Sequence, residues 1–132
     1  MKRFIGAIVA VFLAWSVLDF LIHGVLLQSS YRATAHLWRP ENEMNMVLMS
    51  LVTLTMSICV VTAFRCFISP RSLANGFKFG LLGGLALGTS AGFGSYCFMP
   101  IPLSLAVSWF FASLLVLTVS GFLAGLILSS EN

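Results

Sequence analysis

Residues 4–28 read FIGAIVAVFLAWSVLDFLIHGVLLQ. The stretch holds no proline, lysine or arginine, and its only ionisable side chains are Asp19 and His23. At 1.5 Å per residue a helix over it is roughly 37 Å long, enough to cross a ~30 Å hydrocarbon layer with some tilt. Lys2 and Arg3 precede it, as in a signal peptide. The apolar part of a signal peptide is only about 7–15 residues, however, so the reading is an uncleaved spanning helix. A central Asp costs about 2.5–3.5 kcal/mol on the insertion scale, while about fifteen Leu, Ile, Val and Phe residues return roughly 0.3–0.6 kcal/mol each. The helix therefore inserts with its carboxyl, and that carboxyl must face protein or water rather than lipid.

The rest of the chain has the same character. Of 132 residues, 59% are hydrophobic and 8% charged, against about 25% charged in soluble domains. So few charges cannot cover a water-facing surface, and the bilayer is the first partner implied. Three further apolar runs follow. The second helix is expected over 40–68, with Pro40 at its first position and Glu41 and Glu43 in a first turn that favours acids. The third is expected over 77–99, ended by Pro100 and Pro102, and the fourth over 103–128, before the polar tail Ser129 to Asn132. The runs are continuous rather than alternating, which excludes a membrane barrel. Unpaired backbone groups are not tolerated in lipid, so the expected fold is all-α: a polytopic membrane protein with a four-transmembrane-helix bundle in one domain, 1–132.

Lys2, Arg3, Arg65, Arg71 and Lys78 fall on one side of that arrangement, and Arg32 and Arg39 on the other. The richer side is expected to be cytoplasmic, with both termini there. The net charge of +3 is spent at helix ends, so it gives no nucleic-acid footprint. The connection 29–39 is expected to lie in the outer interface as a short amphipathic segment. Tyr31 and Trp38 would anchor it, while Arg32, His36 and Arg39 on a neighbouring face could contact an anion or lipid headgroup.

Asp19 and His23 stand four residues apart and share one helix face. Ser16 extends that polar stripe, and Ser50, Thr53 and Ser57 form a matching stripe on the second helix. Three uses are open: a structural polar staple, a relay passing protons or a ligand, and a metal or cofactor site. Glycines 76, 80, 84, 88 and 92 recur every four residues. Each costs about 0.8–1 kcal/mol against Ala in a helix, and close helix–helix approach is the expected return. Ser104, Ser108, Gly121 and Gly125 on the last helix are the expected partners, and the four-residue period favours a right-handed crossing. The three cysteines, Cys59, Cys66 and Cys97, are read as buried free thiols, because no pair is placed for a disulfide. Copper is the one metal with some chemical support, from His23, Met44, Met46, Met49, Cys97 and Met99. There is no Cys-x-x-Cys, no Ser-His-Asp set and no phosphate-binding loop, and an enzyme is not expected.

The segment Leu18-Asp19-Phe20-Leu21-Ile22-His23-Gly24-Val25-Leu26-Leu27, followed by Tyr31 and by Leu37-Trp38-Arg39-Pro40, resembles small four-helix bacterial membrane proteins with no assigned function. The resemblance covers the first third of the chain and implies a bacterial inner membrane. The expected role is helix–helix association, as an accessory subunit of a membrane complex or as a homo-oligomer. The alternative is a small proton-coupled or ligand-conducting transporter centred on Asp19 and His23.

Overall fold

The computed structural model describes residues 1–129; Ser130 to Asn132, the remainder of the expected polar tail with the carboxy terminus, lie outside the described residues. The described residues are helical with no strand. Helix α1 runs Lys2–Asp19 and continues as a π-helix over Phe20–Leu26. A short helix α2 covers Gln28–Ala33, and single 3-10 turns follow at Ala35–Leu37 and Glu41–Glu43. Helix α3 is Met46–Phe67, and α4 is Leu73–Gly88 with a π-helical continuation over Thr89–Gly94. Helix α5 is Leu103–Leu128.

Three helices are long and apolar enough to cross a membrane: Lys2–Leu26, Met46–Phe67 and Leu103–Leu128. Helix α4 has only 16 residues before its π segment, and it carries Asn75, Lys78 and the glycines, which dilute its apolar character. Much of the surface is greasy, including Phe67, Phe98, Leu26 and Phe20, all more than half exposed. A contiguous exterior of that kind needs an apolar partner.

Two helix starts differ from the sequence reading. Helix α3 begins at Met46 rather than Pro40, because the Asn45 side chain accepts from the Leu48 N–H at 2.9 Å and caps it there. Glu41 and Glu43 sit in a separate turn, and extended backbone at Met44 divides the two. Helix α4 begins at Leu73 rather than at residue 77, because the Ser72 hydroxyl accepts from the Asn75 N–H at 3.1 Å. Both are N-cap contacts that satisfy an orphan donor of the first turn.

Helix α5 is the hub and packs against α1, α3 and α4. It is apolar on all sides, the pattern of a helix surrounded by others, and it supplies ten buried residues. At the end bearing residues 1 and 68–72, Ala7 and Val11 of α1 meet Val61 and Phe64 of α3 and Ala124 and Leu128 of α5. At the other end, Ile101, Leu105 and Ala106 are covered by Leu27, Tyr31, Leu37, Trp38, Met99 and Trp109.

The α4–α5 contact is backbone against backbone. Gly76, Gly80, Gly84, Gly88 and Gly92 are all buried. A Cβ on Gly84 would stand 2.8 Å from the Leu114 Cα, and one on Gly88 would stand 2.7 Å from the Phe110 carbonyl oxygen. Gly121 and Gly125 return the contact against Gly76 and Gly80. Ser104 and Ser108 do not belong to this seam: the α5 positions that meet the ladder toward its far end are Ala106, Phe110 and Leu114. Ser104 is exposed, and the Ser108 hydroxyl donates to the Ser104 carbonyl of its own helix.

Candidate functional site: a cleft between helices

Helices α1 and α4 both lie against α5 but barely touch each other. The gap between them is a cleft of about 200 Å³. Trp15, Asp19 and His23 of the first helix, Leu87 and Ala91 of the fourth, and Trp109, Ala112, Ser113, Val116 and Leu117 of α5 line it. The helical spacing of residues 15, 19 and 23 places all three on one wall. Asp19 and His23 are close enough for each to feel the other's charge. Ser113 makes no hydrogen bond among the described residues. The other helical hydroxyls named here, those of Thr53, Ser57, Thr118 and Ser120, each return to the carbonyl four residues back.

One side of the cleft is closed by the connection after α1. The Tyr31 hydroxyl lies 2.6 Å from His23 Nδ1 and 2.7 Å from Trp109 Nε1. An indole N–H can only donate, so the phenol oxygen accepts from Trp109. Its single proton is then available to His23 Nδ1 when the imidazole is neutral with its ring proton on Nε2, whereas a protonated imidazole would donate to the same oxygen. Tyr31 also stacks on His23 with ring centroids 6.0 Å apart, and Trp38 packs edge-on to Tyr31 at 5.7 Å and tilted against Trp109 at 5.9 Å. The Trp38 indole donates to Thr34 Oγ1 at 2.9 Å, and Thr34 is itself buried. Burial raises the Tyr31 phenol above its ordinary value; the Asp19 charge adds to the rise, and the Trp109 hydrogen bond opposes it. The phenol is therefore a neutral donor through the physiological range.

The backbone is unusual on both walls. Leu27 N–H bonds to the Ile22 carbonyl, five residues back, at 2.8 Å. The π segments Phe20–Leu26 and Thr89–Gly94 contribute His23 and Ala91 to opposite sides of the cleft. π-Helical residues are well under 1% of globular proteins, and they concentrate at functional sites.

Several sequence expectations are corrected here. Tyr31 and Trp38, expected as interfacial anchors, pack inward against Ile101, Leu105 and Ala106 beside the cleft. Arg32, His36 and Arg39 remain exposed, and because α2 stops at Ala33 they do not share one helix face. Ser50, Thr53 and Ser57 do not line the cleft; their hydroxyls donate to Met46, Met49 and Thr53 carbonyls of α3. Ser16 likewise donates to the Phe12 carbonyl at 2.8 Å. All three cysteines are exposed rather than buried.

Of the residues considered for copper, Met44, Met46 and Met49 are exposed, Met99 packs in the cluster over Leu105, and the Cys97 thiol donates to the Phe93 carbonyl. Among the described residues no three His, Cys, Asp or Glu side chains are grouped to hold a metal. Sequence reasoning missed Trp15, Trp109, Ser113 and Tyr31. Trp15 was within reach of it, one turn before Asp19; the others belong to the tertiary fold. No protein family, curated protein or solved structure matches the chain.

Proposed function

We propose that the protein is a small carrier that binds a proton or small ligand at Asp19 and His23 within the membrane. The observation that supports this most is the placement of both ionisable groups on the wall of a cleft, rather than in a sealed packing contact. An intramembrane carboxylate beside an imidazole can exchange a proton near neutral pH. The reading includes four spans in a bacterial inner membrane with both termini cytoplasmic. In its favour, the 16 residues of α4 and the 6 of its π segment extend over roughly 33 Å at 1.5 Å per residue. The connections on either side of them lie at opposite ends of the bundle.

The test is reconstitution in liposomes with an imposed pH gradient. Asp19→Asn keeps the side-chain shape but cannot carry the proton, so gradient-driven flux is expected to vanish while helicity and thermal stability persist. Flux that survives Asp19→Asn removes the carrier reading.

A second reading, association as an accessory subunit or oligomer, has its own observation. The first two turns of α3 are exposed on every side, with Met46, Val47, Leu48, Met49, Leu51 and Val52 between 52% and 72% exposed. Stoichiometric foreign subunits after mild-detergent purification from native membranes would favour this reading.

A further inference from the structure

The geometry points to a lipophilic organic cation as the ligand of the cleft, an inference that rests on the carrier reading and names its substrate class. Three features of the wall carry it. The first is charge: Asp19 is the acidic group on the wall, and no lysine or arginine lines it. The imidazole beside Asp19 has its Nδ1 engaged by the Tyr31 hydroxyl at 2.6 Å. An anion would meet the carboxylate with no lysine or arginine to offset it. A purely apolar ligand would strip that carboxylate of water and offer it nothing in exchange.

The second feature is the pair of indoles. Trp15 and Trp109 come from different helices to the same cavity as the carboxylate. Trp is the best of the aromatic faces for a cation, and the attraction grows when the site is dry. Ser113, with its hydroxyl uncommitted among the described residues, adds an acceptor for a ligand N–H.

The third feature is access and size. Because α1 and α4 barely touch, the cleft opens sideways between them, and a ligand dissolved in the bilayer reaches it without crossing water. A volume of about 200 Å³ is below the ~300–1,000 Å³ of drug-sized sites, so one aromatic ring bearing a compact ammonium group suits it.

The chain supplies its own reporters. Its three tryptophans are Trp15 and Trp109 on the wall and Trp38 against Trp109. The experiment is a titration of indole ¹⁵N–H resonances of the full chain in mild detergent. The probes are benzyltrimethylammonium and its uncharged isostere neopentylbenzene. Saturable shifts of the Trp15 and Trp109 signals are expected with the cation, at an affinity at least tenfold above that for the isostere. Asp19→Asn should weaken cation binding at least tenfold, and Asp19→Glu, which keeps the charge, should retain it. Equal affinity for both probes, or cation binding unchanged in Asp19→Asn, overturns the inference. Should Asp19→Asn fail to fold, the two probes on the unmodified chain still decide. Proton-driven flux without cation-induced shifts overturns this inference alone, whereas cation binding without proton-driven flux overturns the carrier reading alone.

Discussion

Tyr31 joins three parts of the chain through one oxygen. Its hydroxyl touches His23 of the first helix and Trp109 of α5 while its own backbone belongs to α2. Tyr31→Phe keeps the ring packing on Trp38 and removes both hydrogen bonds. The half-buried indole N–H and imidazole nitrogen left behind should lower stability by about 1–3 kcal/mol, measured as a fall in Tm in detergent. The pH sign follows from the raised phenol. Stability from a group whose folded value is raised is complete below its unfolded value and is lost as pH climbs through the folded one. The Tyr31 contribution should thus hold up to about pH 10.0, the ordinary phenol value, and fade above it, and Tyr31→Phe should flatten that alkaline limb. An alkaline unfolding profile identical in the two proteins would contradict the assignment. The sequence disclosed the Asp19–His23 pair because four-residue spacing is a local property. It did not disclose the partner helix: Ser50, Thr53 and Ser57 looked suitable, but each hydroxyl is satisfied within its own helix. The bonds of Tyr31 to His23 and Trp109 were not legible, because an aromatic beside a membrane helix suits an interfacial anchor equally well.

Among the elements, α4 trades apolar side chains for proximity. Its buried glycines let α5 approach until main-chain atoms touch, and dispersion between closely fitted surfaces takes the place of the hydrophobic effect inside a bilayer. Gly84→Leu meets the Leu114 backbone, which cannot rotate away, and should cost about 1–3 kcal/mol or more. Leu82 is 71% exposed on the same helix, so Leu82→Ala should leave Tm nearly unchanged. Equal Tm for Gly84→Leu and the parent protein would show that the seam is not tight. The ladder was readable because glycine has a cost that only close approach repays. Its partners on α5 were only half readable: Gly121 and Gly125 are small and stand out, whereas Ala106, Phe110 and Leu114 enter through main-chain atoms that carry no signal in side-chain identity. The π segments were not readable at all. They depend on a five-residue hydrogen-bond register set by tertiary packing, and no residue type announces it.

For the molecule as a whole, the two ends of α4 test whether it crosses the membrane as the other three long helices are able to. Two native cysteines decide it. Cys66 lies at the end of α3 beside the 68–72 connection, and Cys97 lies beyond the π segment of α4, at the end capped by Tyr31 and Trp38. Both cysteines are exposed. If α4 spans, these positions face opposite sides of the bilayer; if it does not, they face the same side. In the orientation proposed from the Lys and Arg counts, Cys66 would face the cytoplasm with Arg65, Arg71 and Lys78. Single-cysteine proteins should therefore behave in opposite ways toward a membrane-impermeant maleimide. The chain keeping only Cys97 should label in intact cells, and the chain keeping only Cys66 should label only after permeabilisation. Labelling of both from one side would leave α4 uncrossed. The cleft between α1 and α4 would then face an aqueous interface instead of lipid, and a cation would have no reason to arrive through the bilayer. Opposite-sided labelling places Asp19 between two spanning helices, where burying a charge is costly enough that a bound cation or proton is the natural companion of the carboxylate.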